Sequence, residues 1–439
     1  MAGPWRPGAM SPELLKVAER ARREPEACFH SLAHLIDEAA LRRSFDRLRA
    51  DSAVGADGIS KEMYGRALQA NLKGLHGRLR TKRYRHQPIR RVYIPKGDGR
   101  MRPLGVSAVE DKVVQGAIRE VLEAVYEQDF LDCSYGFRPG RGGHDAIRRL
   151  QRLAETGQVR WVVEADIESF FDSMDHHVLM ETLRKRVPDG SLMRLVGKCL
   201  KAGVLDGEEI TSPVEGAPQG SVLSPLLANV YLHHVMDVWF EKEVKPRMRG
   251  KAHLIRYADD FVMCFSRRDD AERVLAVLGK RMERFGLRLH PGKTGLVCME
   301  RPAPPQQTGK GPGHVDFLGF TMYWRRSGKG GGWRMAFKTS AKRLHRAMDA
   351  ITDYCRSRRR LSVREQHAGL ARRVRGWFNY FGINGNSRSL KMLSEHVRRA
   401  WHRWLNRRSQ RSRLSWGRFN DLLKSFPLPP VRVYARIWL

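Results

Sequence analysis

Two adjacent aspartates interrupt an apolar stretch past the middle of the chain and could perform chemistry there. Asp259 and Asp260 lie in RYADDFVMCF, residues 256–265, between two apolar runs. An exposed hairpin turn would hold two such acids without any function. A third acid, Asp166, ends the strand-like segment WVVEAD in the same way, and two aromatic residues follow it closely. The pattern therefore favours strand ends that bring carboxylates together over an ordinary turn.

The three aspartates predict a catalytic site that depends on metal ions. Carboxylates at neighbouring strand tips repel each other unless cations lie between them. Two Mg²⁺ ions about 4 Å apart would satisfy Asp166 and Asp259 and would align a phosphoryl transfer. One ion would activate an attacking 3′-hydroxyl group, and the other would bind the leaving pyrophosphate. We therefore expect Mg²⁺ as the cofactor, with Mn²⁺ as the alternative.

The segments around these acids predict an α+β core followed by a helical module. The hydrophobic periodicity indicates helix over residues 11–50, and the C-terminal part is helical and arginine-rich from about residue 336. The elements expected between them are a strand–turn–strand over 91–106, a helix over 109–127, a strand from 159 that continues as a helix through 185, a long apolar helix before 240, a hairpin over 253–265 and a helix over 270–286.

The charge of the chain points to a polyanionic partner. Its 439 residues include 81 lysines and arginines against 47 aspartates and glutamates, a formal net charge of +34. Residues 321–439 contain 29 basic and 5 acidic residues, a net of +24, and seven of the ten tryptophans. Basic residues interleaved with aromatic ones suit phosphate contacts and base stacking, so nucleic acid is the expected partner. The alternative is a solvated basic helical face that packs through its tryptophans.

Other features of the sequence exclude several classes of protein. The six cysteines are scattered and form no C-x-x-C pair, which argues against a zinc module and fits reduced thiols. The N-terminal residues MAGPWRPGAMSPELL lack the apolar region of a signal peptide. No run of about 18 apolar residues occurs, so we expect no membrane span and a cytoplasmic location of bacterial type.

Several ordered motifs give the chain a specific resemblance. YADD in a hairpin, ADIESFFD ahead of it and APQGSVLSPLLANVYL between them resemble the palm of a reverse transcriptase. More closely, the chain resembles the bacterial group II intron reverse transcriptase/maturase family, from about residue 45 to the C-terminus. The further motifs are RPLGV (102–106), SYGFRPGRGGHDA (134–146), GLRLHPGKT (286–294), FLGF (317–320) and RGWFNYF (375–381).

The resemblance implies a right-hand polymerase fold, with fingers and palm built on antiparallel sheet and followed by an all-helical thumb/maturase module. It divides the chain into an N-terminal extension with the start of the fingers (1–90), the fingers and palm (91–335) and the helical RNA-binding module (336–439). No cysteine- and histidine-bearing nuclease segment of the kind that some relatives append is found. DNA cleavage would therefore need another source.

The resemblance also implies roles for the site residues. Asp166 and Asp259 would be the metal ligands, with the Ile167 carbonyl helping and the third catalytic acid, Asp260, close by. Phe171 would block a 2′-hydroxyl group and so select dNTPs, and Gln219 would hold the incoming nucleotide. Gly220 would allow close approach of the backbone there. Ser221 occupies a position where relatives frequently carry a second glycine.

Three basic residues would contact the nucleotide by the same resemblance. Lys96 and Arg102 lie on the strand–turn–strand with which the family grips the triphosphate, and Lys293 resembles the family's palm lysine. The alternative for Lys96 and Arg102 is that they are basic residues on a solvated hairpin, and for Lys293 that it lies on a surface loop. The alternative for Phe171 is that it is a phenylalanine of the core. The residues expected to bind nucleic acid are Arg138, Arg375, Trp377, Arg399, Arg403 and Arg407.

The expected function is an RNA-directed DNA polymerase that copies RNA into cDNA and binds group II intron RNA to assist its splicing and mobility. Its partners would be structured intron RNA, an RNA template with a DNA primer, and dNTPs. One alternative is an RNA-binding splicing cofactor whose polymerase is vestigial. Another is a domesticated reverse transcriptase in defence or repair. Palms of this kind also occur in RNA-dependent RNA polymerases and cyclases.

Overall fold

The computed structural model describes residues 10–95, 101–207, 209–211, 215–216, 219–302, 313–326, 332–409 and 413–437. Lys96 and the GDG turn between the first two strands lie outside these residues. The α-helices are α1 Pro12–Arg23, α2 Glu38–Arg47, α3 Lys61–Gly65, α4 Leu68–Arg80, α5 Val109–Asp129, α6 Gly143–Glu155, α7 His176–Arg186, α8 Gly190–Leu200, α9 Ser224–Leu232, α10 Arg268–Glu283, α11 Ala341–Ser357, α12 Val363–Phe381, α13 Ser387–Leu405 and α14 Trp416–Ser425.

The strands form three sheets. They are β1 Ile89–Pro95, β2 Met101–Val106, β3 Trp161–Ala165, β4 Val204–Asp206, β5 Glu209–Thr211, β6 Ala252–Tyr257, β7 Asp260–Phe265, β8 Gly295–Cys298, β9 His314–Phe317, β10 Phe320–Arg326 and β11 Trp333–Thr339. The strand orders are β2-β1-β4-β5, β6-β7-β3-β8 and β11-β10-β9. The second sheet holds the strands that end at the three aspartates.

The chain divides into two compact units. One comprises the described residues of Met1–Gly143, Ala165–Met263 and Asp269–Gly295, and the other those of His144–Glu164, Cys264–Arg268 and Leu296–Leu439. The first unit is built around α5, a helix of 21 residues with 15 buried, among them Val113, Ile118 and Val121. A helix that is buried on nearly all sides must be surrounded by other elements. It therefore forms the centre of the first unit, packed against α1, α2, α8 and α9.

The second unit combines the three-stranded sheet β11-β10-β9 with the C-terminal helices. Phe320 and Phe337 from the sheet and Phe378 and Trp401 from α12 and α13 are fully buried. The helical pattern predicted from about residue 336 begins slightly later, because β11 runs through Thr339. The predicted alternative that the tryptophans pack inside is thus correct for Trp401.

Two predicted helices are shorter than the periodicity indicated. The helix predicted over residues 11–50 is interrupted between Arg23 and Glu38, where Pro25 disfavours helical backbone at the residue before it. The helix predicted to follow β3 directly begins only at His176, because Asp175 caps it by accepting hydrogen bonds from the His177 and Val178 backbone amides. Residues 168–172 form turns instead.

No helix among the described residues is long and apolar enough to cross a membrane.

Candidate active site

A tight hairpin presents the two adjacent aspartates. β6 ends at Tyr257 and β7 begins at Asp260, so the turn consists of Ala258 and Asp259. Ala258 adopts a positive φ of 57°, a conformation that costs a non-glycine residue energy and persists only when its surroundings enforce it. The hairpin predicted over 253–265 is confirmed, and its turn lies at the acids.

A buried arginine enforces the turn. Arg256 on β6 is completely buried and forms hydrogen bonds of 2.7 and 2.5 Å with the two carboxylate oxygens of Asp237. Its two amino groups also donate to the Asn229 side chain, to the Ser134 hydroxyl and to the carbonyl of Ala258 itself. The sequence patterns did not reveal these partners, although an arginine inside an otherwise apolar strand was a signal that a buried acid must accompany it.

The segment SYGF lies directly against the hairpin. Tyr135 donates its backbone N–H to the Arg256 carbonyl at 2.8 Å, and Arg256 donates its own to the Cys133 carbonyl at 2.8 Å. A Cβ atom added to Gly136 would lie 2.3 Å from the Ala258 nitrogen, so only glycine fits there. The start of the motif SYGFRPGRGGHDA therefore supports the backbone of the hairpin turn.

The third aspartate lies at the matching end of a neighbouring strand. β3 and β7 are adjacent in the sheet, and Arg160, just before β3, donates to the carbonyl of Phe265 at the end of β7. The strands therefore run in opposite directions, and the end of β3, at Asp166, lies beside the start of β7 at the hairpin turn. This is the convergence of carboxylates that the sequence predicted.

The electrostatics of Asp259 agree with that placement. Burial raises the pKa of its carboxyl group above the ordinary range, and the negative charge of Asp166 raises it further. The charges of Arg102 and Arg256 act in the opposite direction. Asp260 is exposed. Asp166, Asp259 and Arg102 therefore lie within electrostatic range of one another.

Lys293 pairs with Asp166. Its ammonium nitrogen lies 2.5 Å from the Asp166 Oδ2 atom. The backbone carbonyl of Asp166 accepts a hydrogen bond from the His290 N–H at 2.8 Å, and the Glu168 N–H donates to the Arg288 carbonyl at 2.8 Å. These two hydrogen bonds lie on either side of the antiparallel β-bridge that pairs Ile167 with Leu289. In such a pair the Ile167 carbonyl points away from Leu289.

The oxygen atoms here fit a divalent magnesium-type ion. Two carboxylates that repel each other and an outward carbonyl are the hard ligands that Mg²⁺ takes, usually with water and substrate oxygens completing its shell. Among the described residues no group of three or more His, Cys, Asp or Glu side chains could hold a metal ion. The protein's share of the predicted site thus amounts to Asp166, Asp259 and the Ile167 carbonyl.

Gln219, which the resemblance predicts to hold the incoming nucleotide, lies on a loop that contacts β2. Gly105 on β2 donates its N–H to the Gln219 carbonyl at 2.6 Å. A Cβ atom on Gly220, whose φ is +109°, would lie 2.7 Å from the Gly105 carbonyl oxygen. The Gly220 backbone therefore lies directly against β2, where a side chain would not fit, and the predicted close approach to a nucleotide stays a prediction. Arg102, exposed on the same strand, lies three residues before Gly105.

Phe171 lies beside this loop. It is half-buried and packs edge to face on the fully buried Phe170, with ring centroids 5.3 Å apart. A Cβ atom on Gly216 would lie 2.9 Å from the Phe171 carbonyl oxygen, and the Gln219 amide nitrogen lies 3.4 Å from the Asp172 carboxylate. A half-exposed ring at this point is available to a substrate, unlike that of Phe170.

The residues predicted to bind nucleic acid fall into two groups. Arg138 is buried and pairs with Glu127 at 2.7 Å while donating to the carbonyls of Leu131 and Ser134, which favours a structural role. Trp377 is half-buried and packs 4.7 Å from the Phe381 ring. Arg138 is therefore engaged within the protein, whereas part of the Trp377 ring remains exposed.

The remaining four arginines are exposed, and two of them surround a tryptophan. The guanidinium carbons of Arg403 and Arg407 lie 6.0 and 5.4 Å from the Trp404 ring, and that of Arg359 lies 5.9 Å away. Arg399 pairs with Glu395 at 2.8 Å, whereas Arg375 has no ion pair among the described residues. Arg359 was not predicted, because it comes from the connection between α11 and α12.

Comparisons with known proteins bear on this site. Residues 94–322 match the family described as reverse transcriptase (RNA-dependent DNA polymerase), and residues 344–421 match the group II intron, maturase-specific domain. Protein YkfC of Escherichia coli (strain K12) is 36% identical over 280 residues, which cover 56% of this chain and 74% of YkfC. The group II intron-encoded protein LtrA of Lactococcus lactis subsp. cremoris is 41% identical over 181 residues, 41% of this chain.

The aligned part amounts to only 28% of LtrA. An uncharacterized 91 kDa protein in the cob intron of Schizosaccharomyces pombe is 35% identical over 200 residues, 46% of this chain and 23% of that protein. Less than a third of each of these two longer relatives is therefore represented. The family match itself covers more than half of the chain and includes the converging aspartates. The chain belongs to the reverse transcriptase family, as an RNA-directed DNA polymerase that also carries a maturase-specific domain of group II introns.

Proposed function

We propose that this polymerase copies RNA into cDNA with two Mg²⁺ ions, and that its maturase-specific domain binds group II intron RNA and assists splicing and mobility. The observation that carries the catalytic part is the convergence of Asp166 and Asp259. Asp166 follows β3 and Asp259 precedes β7 in the same sheet, and the negative charge of Asp166 raises the pKa of Asp259. Such a pair is unfavourable in an apolar setting unless a cation completes it.

Asp166, Asp259 and the Ile167 carbonyl would hold the metal ions, which would activate the primer 3′-hydroxyl and stabilise the charge on the phosphates. Lys293 lowers the repulsion between the two carboxylates by pairing with Asp166. Arg102 favours the ionised form of Asp259 and, as an exposed guanidinium, is suited to grip a triphosphate. Asp260 adds a further negative charge at the mouth of the site.

The nucleotide would be oriented by the chain's own residues. Gln219 holds the base and primer region on the loop beside β2, and Phe171 occupies the space that a ribose 2′-hydroxyl would need. Lys96 would join Arg102 on the phosphates. We infer the right-hand arrangement of fingers, palm and thumb from the family, with the three domains bounded as the sequence predicts and the last boundary moved to the end of β11 at Thr339.

RNA binding is proposed for the exposed arginines of the second unit, Arg375, Arg403 and Arg407, through phosphate contacts and stacking. The net charge of +24 over residues 321–439 supports a polyanionic partner. Structured intron RNA is the specific partner that the maturase-specific domain suggests.

Primer extension on an RNA template with Mg²⁺ tests the catalytic proposal. Asp259→Ala should reduce cDNA synthesis by at least about 10³-fold, since loss of a metal ligand removes several kcal/mol of charge stabilisation. Asp353→Ala, which removes an exposed carboxylate paired with Arg356 in the other unit, is the matched control. Full activity of the Asp259→Ala variant would refute the site.

The splicing role is tested separately with the same variant. If intron splicing in vitro is unchanged by Asp259→Ala while cDNA synthesis is abolished, the two activities are distinct. If the wild type supports splicing but polymerises no dNTPs, the protein is a splicing cofactor with a vestigial polymerase.

A further inference from the structure

Gln115 is a buried, hydrogen-bonded side chain beside the loop formed by residues 219–222. It lies on α5 and is fully buried. Its amide nitrogen lies 2.9 Å from the His86 Nε2 atom and donates to the Ser107 hydroxyl at 3.2 Å. Its amide oxygen accepts from the Ser221 hydroxyl and from the Val222 backbone N–H, both at 3.1 Å. All four hydrogen-bonding positions of this amide are therefore used.

Two independent contacts fix the orientation of the amide. The Val222 N–H only donates, so the group that faces it must be the amide oxygen. At the other end, the His86 Nδ1 atom lies 2.6 Å from the Gln87 carbonyl, which can only accept, so in the neutral ring the His86 Nε2 atom accepts from the amide nitrogen. The glutamine thus presents its oxygen to the loop and its nitrogen to the core.

The loop residues Gln219–Val222 are held on two sides. On one side β2 binds the Gln219 carbonyl through Gly105, and Gly220 approaches the Gly105 carbonyl closely. On the other side Gln115 binds the next two residues. Ser221 also accepts a hydrogen bond from the Leu223 N–H at 3.2 Å, so its hydroxyl both donates and accepts.

The serine therefore does more than replace a small glycine. A glycine at position 221 would lack the hydroxyl that binds Gln115, and the loop would keep only the Val222 contact on that side. Ser221 is 8% exposed, so water is poorly placed to substitute for the missing bond.

We propose that Gln115 is a positioning residue for nucleotide binding, which acts through Ser221 and Val222 to hold Gln219 against the incoming dNTP. Gln115 itself does not touch the nucleotide. The inference deepens the proposed function, because it rests on the role of Gln219 in nucleotide binding.

A pair of serine variants tests this proposal. Ser221→Ala and Ser107→Ala each remove one buried hydroxyl bonded to Gln115, but at opposite ends of its amide. Ser221→Ala should raise the KM for dNTP on an RNA template about 5- to 10-fold, the effect of one buried hydrogen bond, with kcat within about twofold. Ser107→Ala should change this KM by less than about twofold. It should lower the unfolding midpoint of the protein by about as much as Ser221→Ala does.

Gln115→Leu should raise the KM at least as much as Ser221→Ala, and adding Ser221→Ala to it should have little further effect because the two residues act as one unit. Equal KM effects of the two serine variants, or additive effects of Gln115→Leu and Ser221→Ala, would overturn the proposal. If Gln115→Leu does not fold, the serine pair decides the question alone.

Amide hydrogen exchange at Val222 separates this inference from the polymerase proposal, because it needs no catalysis. In the nucleotide-free protein, exchange should be faster in Ser221→Ala than in the wild type and unchanged in Ser107→Ala. Failure of the wild type to extend a primer would refute the polymerase proposal only. Equal exchange rates in all three proteins would refute the positioning role of Gln115.

Discussion

Asp259 is harder to ionise in the folded protein than in the unfolded chain. Its pKa is raised by burial and by the Asp166 charge, so the folded protein binds a proton more tightly than the unfolded chain does. The contribution of this group to stability therefore falls as the pH rises from the ordinary carboxyl range through the raised pKa, where Asp259 ionises. A residue that costs stability when ionised, yet lies at a braced turn, is explained by a ligand that the ionised form binds.

Phe171 offers a residue-scale prediction about sugar selection. Replacing Phe171 by alanine should open space at the 2′ position of the nucleotide and raise the ratio of NTP to dNTP incorporation by at least about 10-fold, the scale on which a pocket discriminates a single group. The measurement is single-nucleotide extension of a DNA primer on RNA with dNTPs and NTPs in parallel.

The matched control for that prediction is Phe171→Tyr, which keeps the ring and should keep the discrimination. An unchanged ratio in Phe171→Ala would return Phe171 to the role of a packing residue against Phe170.

At the scale of elements, the hairpin that carries Asp259 depends on the ion pair between Arg256 and Asp237. Both side chains are fully buried, so replacing Arg256 by methionine leaves the Asp237 charge without its partner. We expect the free energy of unfolding to fall by about 3–5 kcal/mol, together with loss of polymerase activity. Urea unfolding followed by circular dichroism measures the first effect, and primer extension measures the second.

The double variant Arg256→Met, Asp237→Leu provides the control, because it removes the unpaired charge along with the pair. It should recover a large part of the stability. Recovery of activity is not expected, since the bond from Arg256 to the Ala258 carbonyl is also absent. A single variant as stable as the wild type would show that the pair does not hold the hairpin.

We expect Glu164 on β3 to make the stability of the second unit depend on pH. Burial raises its pKa to about 7, and the charge of Asp316 adds to the shift, although the hydrogen bond that Glu164 accepts from the Asp316 N–H at 2.6 Å lowers it. Since the folded pKa is raised above the ordinary value of 4.5, stability is lost as the pH rises from about 4.5 to about 7. Glu164→Gln keeps an acceptor for this N–H and should flatten that dependence.

The measurement is the unfolding midpoint of wild type and Glu164→Gln between about pH 4.5 and 8, in the absence of metal ions. Glu164→Gln should have the higher midpoint at pH 8, and the two midpoints should converge near pH 5. Parallel curves would show that Glu164 does not carry the effect. Glu155→Gln, which alters another carboxylate of that unit that accepts a backbone N–H, from Met335, controls for a general effect of charge.

The elements around the aspartates could largely be predicted from the sequence, whereas their supports could not. Alternation of apolar residues located the hairpin and β3, because period-2 burial is a local property. The turn after β3 was misjudged as helix, because its shape depends on contacts distant in sequence, such as the approach of Gly216 to Phe171. The break at Pro25, by contrast, could have been predicted from its effect on the preceding residue.

At the scale of the whole molecule, the excess positive charge is concentrated where the maturase-specific domain lies. The net charge of +34 is mostly carried by residues 321–439, at +24, and residues 344–421 match that domain. A charge distribution of this kind predicts salt-sensitive binding of RNA, since each phosphate contact releases a counterion. The sequence predicted this bias, but not which arginines are engaged within the protein, because ion pairing depends on the fold.

The arginines around Trp404 allow that prediction to be tested with a control from α13, the helix that carries Arg403 and Trp404. Arg403→Ala with Arg407→Ala removes two exposed guanidinium groups that lie by the ring without an ion pair among the described residues. On a plot of log affinity against log salt concentration, the slope for intron RNA should decrease by about two in magnitude, because each arginine neutralises one phosphate of the RNA. Arg399→Ala, whose guanidinium already pairs with Glu395, should change it much less. Filter binding over a range of potassium chloride concentrations gives the slopes, and equal slopes for the double variant and the wild type would place the RNA-binding surface elsewhere.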